Sequence, residues 1–351
     1  MEMEEIVLGG RPVGPGAAPF IIAEMSGNHN QSLEKALSIV DAAADAGAHA
    51  LKIQTYTADL MTLERSDGDF YIDDPNSLWK GQSLYKLYEQ AYTPWEWHRP
   101  IFERCRERGM IPFSTPFHPK AVDFLEELDV PFYKIASFEN NDLPLIRYTA
   151  SKGKPMIVST GMATLAQLEE AVNAAREAGC PNVVLLKCTS TYPASPADSN
   201  LLTIPHMRSL FGCEVGLSDH TQGIGAAVAA TALGASVIEK HFTLSRAEGG
   251  VDAAFSLEPD EMRQLVAETE RAWQALGRVH YGIGEKERSS MKFRRSLYIS
   301  RDVADGEELS LDNVRVIRPG YGLEPKYLDL VLGRRLPKAV KAGTPVTWDL
   351  L

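Results

Sequence analysis

Cysteine is scarce, with four in 351 residues. Cys105, Cys180, Cys188 and Cys213 form no CxxC pair and no regular framework, which excludes a disulfide-stapled secreted fold and predicts reduced core thiols in a cytosolic protein. A long apolar run is missing too. The longest uncharged stretch of small residues, Gly223 to Ile238, is too short to span a bilayer and contains Gly, Thr and Ser, so it reads as a soluble helix. No secretory leader is read at the start, and a cytoplasmic location is expected. Basic residues are outnumbered, 36 Lys and Arg against 47 Asp and Glu, for a net charge of −11. That balance argues against nucleic acid or an anionic membrane as partner, while leaving room for an anionic substrate in a local basic pocket. The deficit is uneven. Residues 291 to 351 carry 11 Lys and Arg against 8 Asp and Glu, a net +3 that leaves −14 for the rest, and a separate C-terminal unit is expected.

What the chain does have is a repeating alternation. After a short predicted hairpin over residues 4 to 16, turning at Gly9-Gly10, eight strand-like runs alternate with helical stretches. They are FIIAE (20–24), ALKIQ (50–54), MIPFS (110–114), FYKIA (132–136), MIVST (156–160), VVLLK (183–187), EVGLS (214–218) and SVIEKH (236–241). Strands buried on both faces read as continuous apolar runs, and eight of them joined by helices predict a (β/α)8 TIM barrel over residues 1 to 276. The Gly- and charge-rich residues 277 to 292 read as a linker. Residues 293 to 351, with short strands and frequent turns, read as a compact, mostly β module.

In a TIM barrel the C-terminal strand ends carry the chemistry. His220 and His241 occupy equivalent places on two successive strands of one βαβ unit. Neighbouring strands lie about 4.8 Å apart, so two such imidazoles can share a cation. Other strand ends carry Glu24, Lys52, Gln54, Thr115, Lys134, Ser137, Ser159 and Ser190, with Lys187 beside Thr189. Lysines converging on one apolar mouth repel each other and lose hydration, which implies a compensating phosphate or carboxylate ligand. Ser159 to Gly161, read as lying just before a helix, adds hydroxyl and N–H groups suited to phosphate. GIGAAVA near residue 223 mimics part of a dinucleotide fingerprint, but no acidic residue follows at the required spacing, so it reads as small-residue helix packing. The loop over 244 to 260 is long enough for a lid.

STPF (114–117), YKIAS (133–137), VSTGM (158–162), KCTSTYP (187–193), GLSDHT (216–221) and EKHFT (239–243) resemble the sialic acid synthase family. RPGYGL (318–323) and AVKAGTPV (339–346) resemble its antifreeze-like (SAF) domain, so the resemblance covers nearly the whole chain. AEMSGNHNQSLEKAL, KIQTYTAD, SLYKLYEQAYTPWEWH and FENNDLPLIR are most similar to the branch that makes pseudaminic acid. The resemblance implies condensation of phosphoenolpyruvate with the open-chain aldehyde of an N-acetylated amino sugar, here 2,4-diacetamido-2,4,6-trideoxy-altrose, to give a nonulosonic acid and phosphate. It implies a divalent metal, Mn²⁺ or Mg²⁺, on His220 and His241. Lys52, Thr115, Lys134, Ser137 and Ser159 match positions that bind phosphoenolpyruvate. Glu24, Gln54, Glu139, Tyr192 and Asp252 match positions around the sugar and reacting carbons, and Arg318 matches an arginine that reaches the partner's barrel in a domain-swapped homodimer. Where N-acetylneuraminate synthases carry Asn before Tyr-Pro, this chain has Ser190-Thr191, which favours a sugar other than N-acetylmannosamine. N-acetylneuraminate or legionaminic acid synthesis is the alternative within the family. Outside it, Lys134 or Lys187 would be the Schiff-base nucleophile of a barrel aldolase, or the chain would be a non-enzymatic sugar-binding protein.

Overall fold

The structure is a computed structural model that describes residues 6–75 and 77–351. A hairpin opens it: β1 (Ile6–Leu8) pairs antiparallel with β2 (Arg11–Val13), with Leu8 opposite Arg11 across Gly9-Gly10. Residues 4 and 5 of the expected hairpin lie outside the described residues. Eight parallel strands follow: β3 (Phe20–Glu24), β4 (Ala50–Thr55), β5 (Ile111–Pro116), β6 (Tyr133–Ile135), β7 (Met156–Ser159), β8 (Val183–Cys188), β9 (Glu214–Asp219) and β10 (Val237–His241). They close into a barrel when β10 pairs with β3 as well as β9. The TIM barrel read from the sequence is the observed fold, and each expected run holds its strand.

Successive side chains in a strand point to opposite faces, so the barrel sorts its residues by parity. Ile21, Leu51, Ile53, Tyr133, Ile135, Val158, Leu185, Val215, Leu217 and Ile238 face outward, into a core shared with the surrounding helices. Phe20, Ile22, Ala50, Phe113, Phe132, Ile157, Val184, Leu186 and Val237 face inward and fill one end of the barrel. Leu8 and Val13 of the hairpin join that inner cluster, so the hairpin plugs the N-terminal end. At the other end, the same inward parity passes to Glu24, Lys52, Gln54, Thr115, Lys134, Ser159, Cys188, Ser218, Glu239 and His241.

The helices carry ordinary local signals. The helix Leu33–Asp45 starts at Ser32, whose hydroxyl accepts from Lys35 N. Leu165–Glu177 begins with a capping box of Thr164 and Gln167. The Ala-rich segment forms Gly225–Ala232, which buries Ala227, Ala230 and Thr231 as small-residue packing requires. The connection from β4 to β5 is the longest in the barrel. It contains the short helix Ala58–Met61, a folded stretch in which Ile72 N donates to Gln82 O and Gly81 N to Ile72 O, then Leu84–Ala91 and Trp95–Glu107.

The chain divides into two compact units, Met1–Gly277 and Arg278–Leu351. In the second, exposed 3-10 turns run over Glu285–Phe293, ending one residue past the span read as a linker. The antiparallel pair β11 (Ser296–Ile299) and β12 (Val314–Ile317) then covers a small core of Leu297, Ile299, Val303, Leu309, Val314, Leu336 and Val346. No helix among the described residues is long and apolar enough to cross a membrane.

Candidate active site

The inward polar residues line a cavity of about 500 Å³ at the C-terminal strand ends. Lys52, Gln54, Lys134, Ser137, Glu139, Ser159, Tyr192, His220, His241 and Asp252 all reach it. Thr115, buried in β5, accepts from Lys52 Nζ at 3.4 Å.

The lysine chemistry differs from the expectation in one respect. Lys52 Nζ lies 2.9 Å from Glu24 Oε2 and 3.7 Å from Glu239 Oε2, and Lys134 Nζ lies 3.1 Å from Glu239 Oε1. All four groups are at least 95% buried. Convergence of the lysines therefore needs no external anion, because the barrel supplies two carboxylates of its own. Burial alone would push the Glu239 carboxyl up, but Lys134 and Lys52, with the Ser218 hydroxyl, hold it down at about 2. Burial, with Lys52 nearby, pulls Lys134 below its usual value despite Glu239, while for Lys52 the two carboxylates outweigh burial and raise it. Glu239 was not singled out in the sequence. Its signal was present, since it shares the inward parity of His241 two residues on.

Glu24 is fully buried and is not among the residues lining the cavity, and it also accepts from Gln54 Nε2 at 3.0 Å. The carboxylates on the wall are Asp74, Glu139, Glu239 and Asp252. Burial, reinforced by Asp142 and opposed by Lys134, raises Glu139 to about 7.

The ring centroids of His220 and His241 are 5.2 Å apart. His220 Nδ1 sits 2.9 Å from the Thr189 carbonyl oxygen, which only accepts, so Nδ1 carries the proton and Nε2 offers a lone pair. His241 Nδ1 faces Asp252 Oδ2 at 3.4 Å, and Asp252 accepts in turn from the Ser26 hydroxyl. Burial alone would raise the Asp252 carboxyl, but His241, Ser26 and His220 outweigh it and hold it low. A second imidazole nitrogen fixed by an oxygen acceptor is the usual support of a ligating histidine, and His220 has it, whereas His241 Nδ1 makes the ion-pair contact with Asp252 but no hydrogen bond. The pair thus fits a cation held by two imidazoles plus substrate or water oxygens, and among the described residues no group of three or more His, Cys, Asp and Glu forms a closed metal cage.

The strands also tie down what lies behind these histidines. Lys240 and Asp219 are register partners on the outward face, and Lys240 Nζ lies 2.7 Å from Asp219 Oδ2 and donates to Thr221 O as well. Asp219 Oδ1 accepts from Thr221 N at 2.9 Å. Each member of this buried pair immediately precedes one of the two histidines.

The 244–260 loop is folded into 3-10 turns at Arg246–Glu248 and Ala253–Phe255. It sets Phe255 4.9 Å from the His241 ring and 5.9 Å from His220. Asn28 Nδ2 fastens it by donating to Phe242 O and Ser256 Oγ. Phe255 carried no signal in the sequence.

Several expected residues sit elsewhere. Lys187 has outward parity, and its Nζ donates to the Cys188 carbonyl at 3.0 Å, which removes it as a nucleophile for the cavity. Ser190 packs against Gly161: a Cβ there would lie 2.1 Å from Ser190 Oγ and 2.6 Å from Ser137 Oγ. Gly161 N donates to Ser137 Oγ at 3.2 Å, and the next helix starts only at Leu165 with its own capping box. Neither that N–H nor the capped helix end is therefore free for phosphate in the way the sequence suggested, whereas the Ser159 hydroxyl is buried without a partner. Arg318 follows β12 in the second unit, with its side chain exposed.

A closed eight-stranded barrel with this lysine, carboxylate and histidine floor, followed by a small β unit, defines a class, and the chain belongs to it. It is a member of the NeuB family, matched over residues 39–281, with a SAF domain over 294–351. The family and module read from the motifs are thereby shown. Among its relatives is the pseudaminic acid synthase of Campylobacter jejuni, 47% identical over 92% of this chain and 94% of that protein. Another is the pseudaminic acid synthase of Helicobacter pylori, 41% identical over 94% of this chain and 97% of that one. The crystal structure of N-acetylneuraminic acid synthetase from Leptospira borgpetersenii in complex with citrate superposes with a TM-score of 0.74 at 32% identity, covering 83% of this chain and 96% of that chain.

Proposed function

We propose that this enzyme condenses phosphoenolpyruvate with 2,4-diacetamido-2,4,6-trideoxy-altrose and water, giving a nonulosonic acid and phosphate; relatives named pseudaminic acid synthase support the reading. The observation that carries the reading is the convergence of Lys52, Lys134 and Ser159 with His220 and His241 on one cavity at the barrel mouth. Lys52, Lys134, Thr115, Ser137 and Ser159 bind phosphoenolpyruvate, and its phosphate exchanges with Glu239 as partner of the two ammonium groups. His220 and His241 would hold Mn²⁺ or Mg²⁺, which supplies positive charge where negative charge grows on the aldehyde oxygen.

The methylene carbon of phosphoenolpyruvate bonds to the aldehyde carbon, whose oxygen takes a proton and becomes a hydroxyl. The phosphate-bearing carbon is left electron-poor, water adds to it, and the tetrahedral intermediate expels phosphate by C–O cleavage. Asp252 holds the ring of His241. Gln54 and Tyr192 orient the sugar, and Glu139, neutral in part near pH 7, exchanges a proton with it. A Schiff base on Lys134 would require that amine to leave Glu239. The assembly we propose is a homodimer in which Arg318 of one chain completes the barrel of the other, in the cytoplasm.

Turnover of phosphoenolpyruvate with a bridging-oxygen label tests the reaction. The label is expected in inorganic phosphate, only when a competent sugar is present, and chelation should abolish release. His220→Ala and His241→Ala should remove activity and Mn²⁺ binding while leaving the unfolding midpoint near that of the parent. Label retained in the organic product, or full turnover after metal stripping, would refute the reading.

A further inference from the structure

The floor of the cavity is charged, but one wall is not. The connection from β4 to β5 brings Met61, Ile72, Trp79 and Leu87 to the lining. Met61, Ile72 and Trp79 are only half-buried, so they are not the core of the connection. Their apolar surface faces the cavity and stays in contact with water until something covers it.

This flap is fastened directly above the histidines. Trp79 Nε1 donates to the Val251 carbonyl at 3.1 Å, joining the flap to the loop that carries Asp252. The Trp79 ring lies 5.9 Å from the Tyr192 ring, which lies 4.6 Å from His220. The Tyr192 ring thus links the histidines to the flap, and an acceptor with its aldehyde at the histidines can lay its remaining carbons along that ring. Phosphoenolpyruvate cannot be the occupant, because its carboxylate and phosphate match the lysine and hydroxyl floor. A fully hydroxylated sugar is also a poor occupant, since hydroxyls set against Ile72, Trp79 and Leu87 lose water without gaining partners. Ser77 reaches the lining from the same flap, which suits an amide group that accompanies an acetamido methyl.

We propose that Met61, Ile72, Trp79 and Leu87 form a methyl-binding subsite that makes this enzyme selective for acceptors with a methyl rather than a hydroxymethyl group at C6. The proposal rests on the condensation reading of the cavity and adds to it the residues that choose the sugar.

The test compares 2,4-diacetamido-2,4,6-trideoxy-altrose with its counterpart that keeps the C6 hydroxyl. The parent enzyme should favour the deoxy sugar in kcat/KM by about tenfold to a hundredfold, the range open to an apolar pocket discriminating against an added hydroxyl. Ile72→Thr and Trp79→Gln should each shrink that ratio about tenfold or more, chiefly through the sugar KM, with the phosphoenolpyruvate KM held. Equal efficiency with the two sugars in the parent enzyme would overturn the subsite while leaving the condensation intact, and this arm needs no variant to fold. An undiminished ratio in both variants would also overturn it. Phosphate release with neither sugar would overturn the condensation reading itself, and the subsite with it.

Discussion

Glu239 shows how a single side chain sets the state of the whole floor. It touches both lysines, so Glu239→Gln leaves two buried ammonium groups with only Glu24 to balance them. Removing one partner of a buried ion pair costs about 3–5 kcal/mol, and the unfolding midpoint should fall accordingly. Inorganic phosphate should restore more stability to this variant than it adds to the parent, because it replaces the missing charge. Equal phosphate effects on the two proteins would show that the lysines do not face an anion site. Glu139 behaves oppositely. Burial raises its folded value from 4.5 to about 7, so the folded state binds the proton more tightly than the unfolded state does. Its contribution is complete below the unfolded value and is lost as pH rises toward about 7. Scans of unfolding midpoint against pH should show the parent losing stability over that window relative to Glu139→Gln, and parallel curves would exclude the effect.

At the scale of elements, strands were legible and connections were not. Each barrel strand is a short apolar run between turn signals, and burial on both faces forces that pattern on the sequence. Parity then places Glu24, Lys52, Lys134, Ser159 and His241 inside without further information, and it would have placed Glu239 inside and Lys187 outside had it been applied to them. The flap from β4 to β5 escaped notice because its order comes from contacts distant in sequence, such as Trp79 with Val251, which no local period encodes. Phe255 escaped for the same reason. Gly216 offers an element-scale test: a Cβ there would lie 2.1 Å from the Val237 carbonyl oxygen and 2.8 Å from Leu186 Cδ2. Gly216→Ala must push β9 from β10, at a cost of about 1–3 kcal/mol or more for overpacking, and it should separate His220, which follows β9, from His241, which ends β10. Mn²⁺ affinity lowered along with stability is the expected outcome, and unchanged affinity in the folded variant would show that the histidine pair tolerates the shift.

The whole molecule joins an acidic barrel to a basic SAF unit, and the proposed assembly requires two chains for each complete site. His220→Ala and Arg318→Ala homodimers should both be nearly inactive. Co-expressed with random pairing, half the dimers are mixed and half of their sites are whole, so about a quarter of parental activity should return. No recovery in proven heterodimers would place Arg318 in its own chain's site or outside catalysis. The cluster of Lys52, Lys134, Glu24 and Glu239 has a further consequence, for turnover rather than assembly. Its formal charges sum to zero before any ligand arrives, so the floor is an ion exchanger kept in its neutral salt form. On the proposed reading, entering phosphoenolpyruvate would displace a carboxylate that stays tethered to the barrel, and after C–O cleavage that same carboxylate would compete with the departing phosphate for the two ammonium groups. Such an exchange would favour release of the phosphate product, with the residues that first looked like a site in need of an anion.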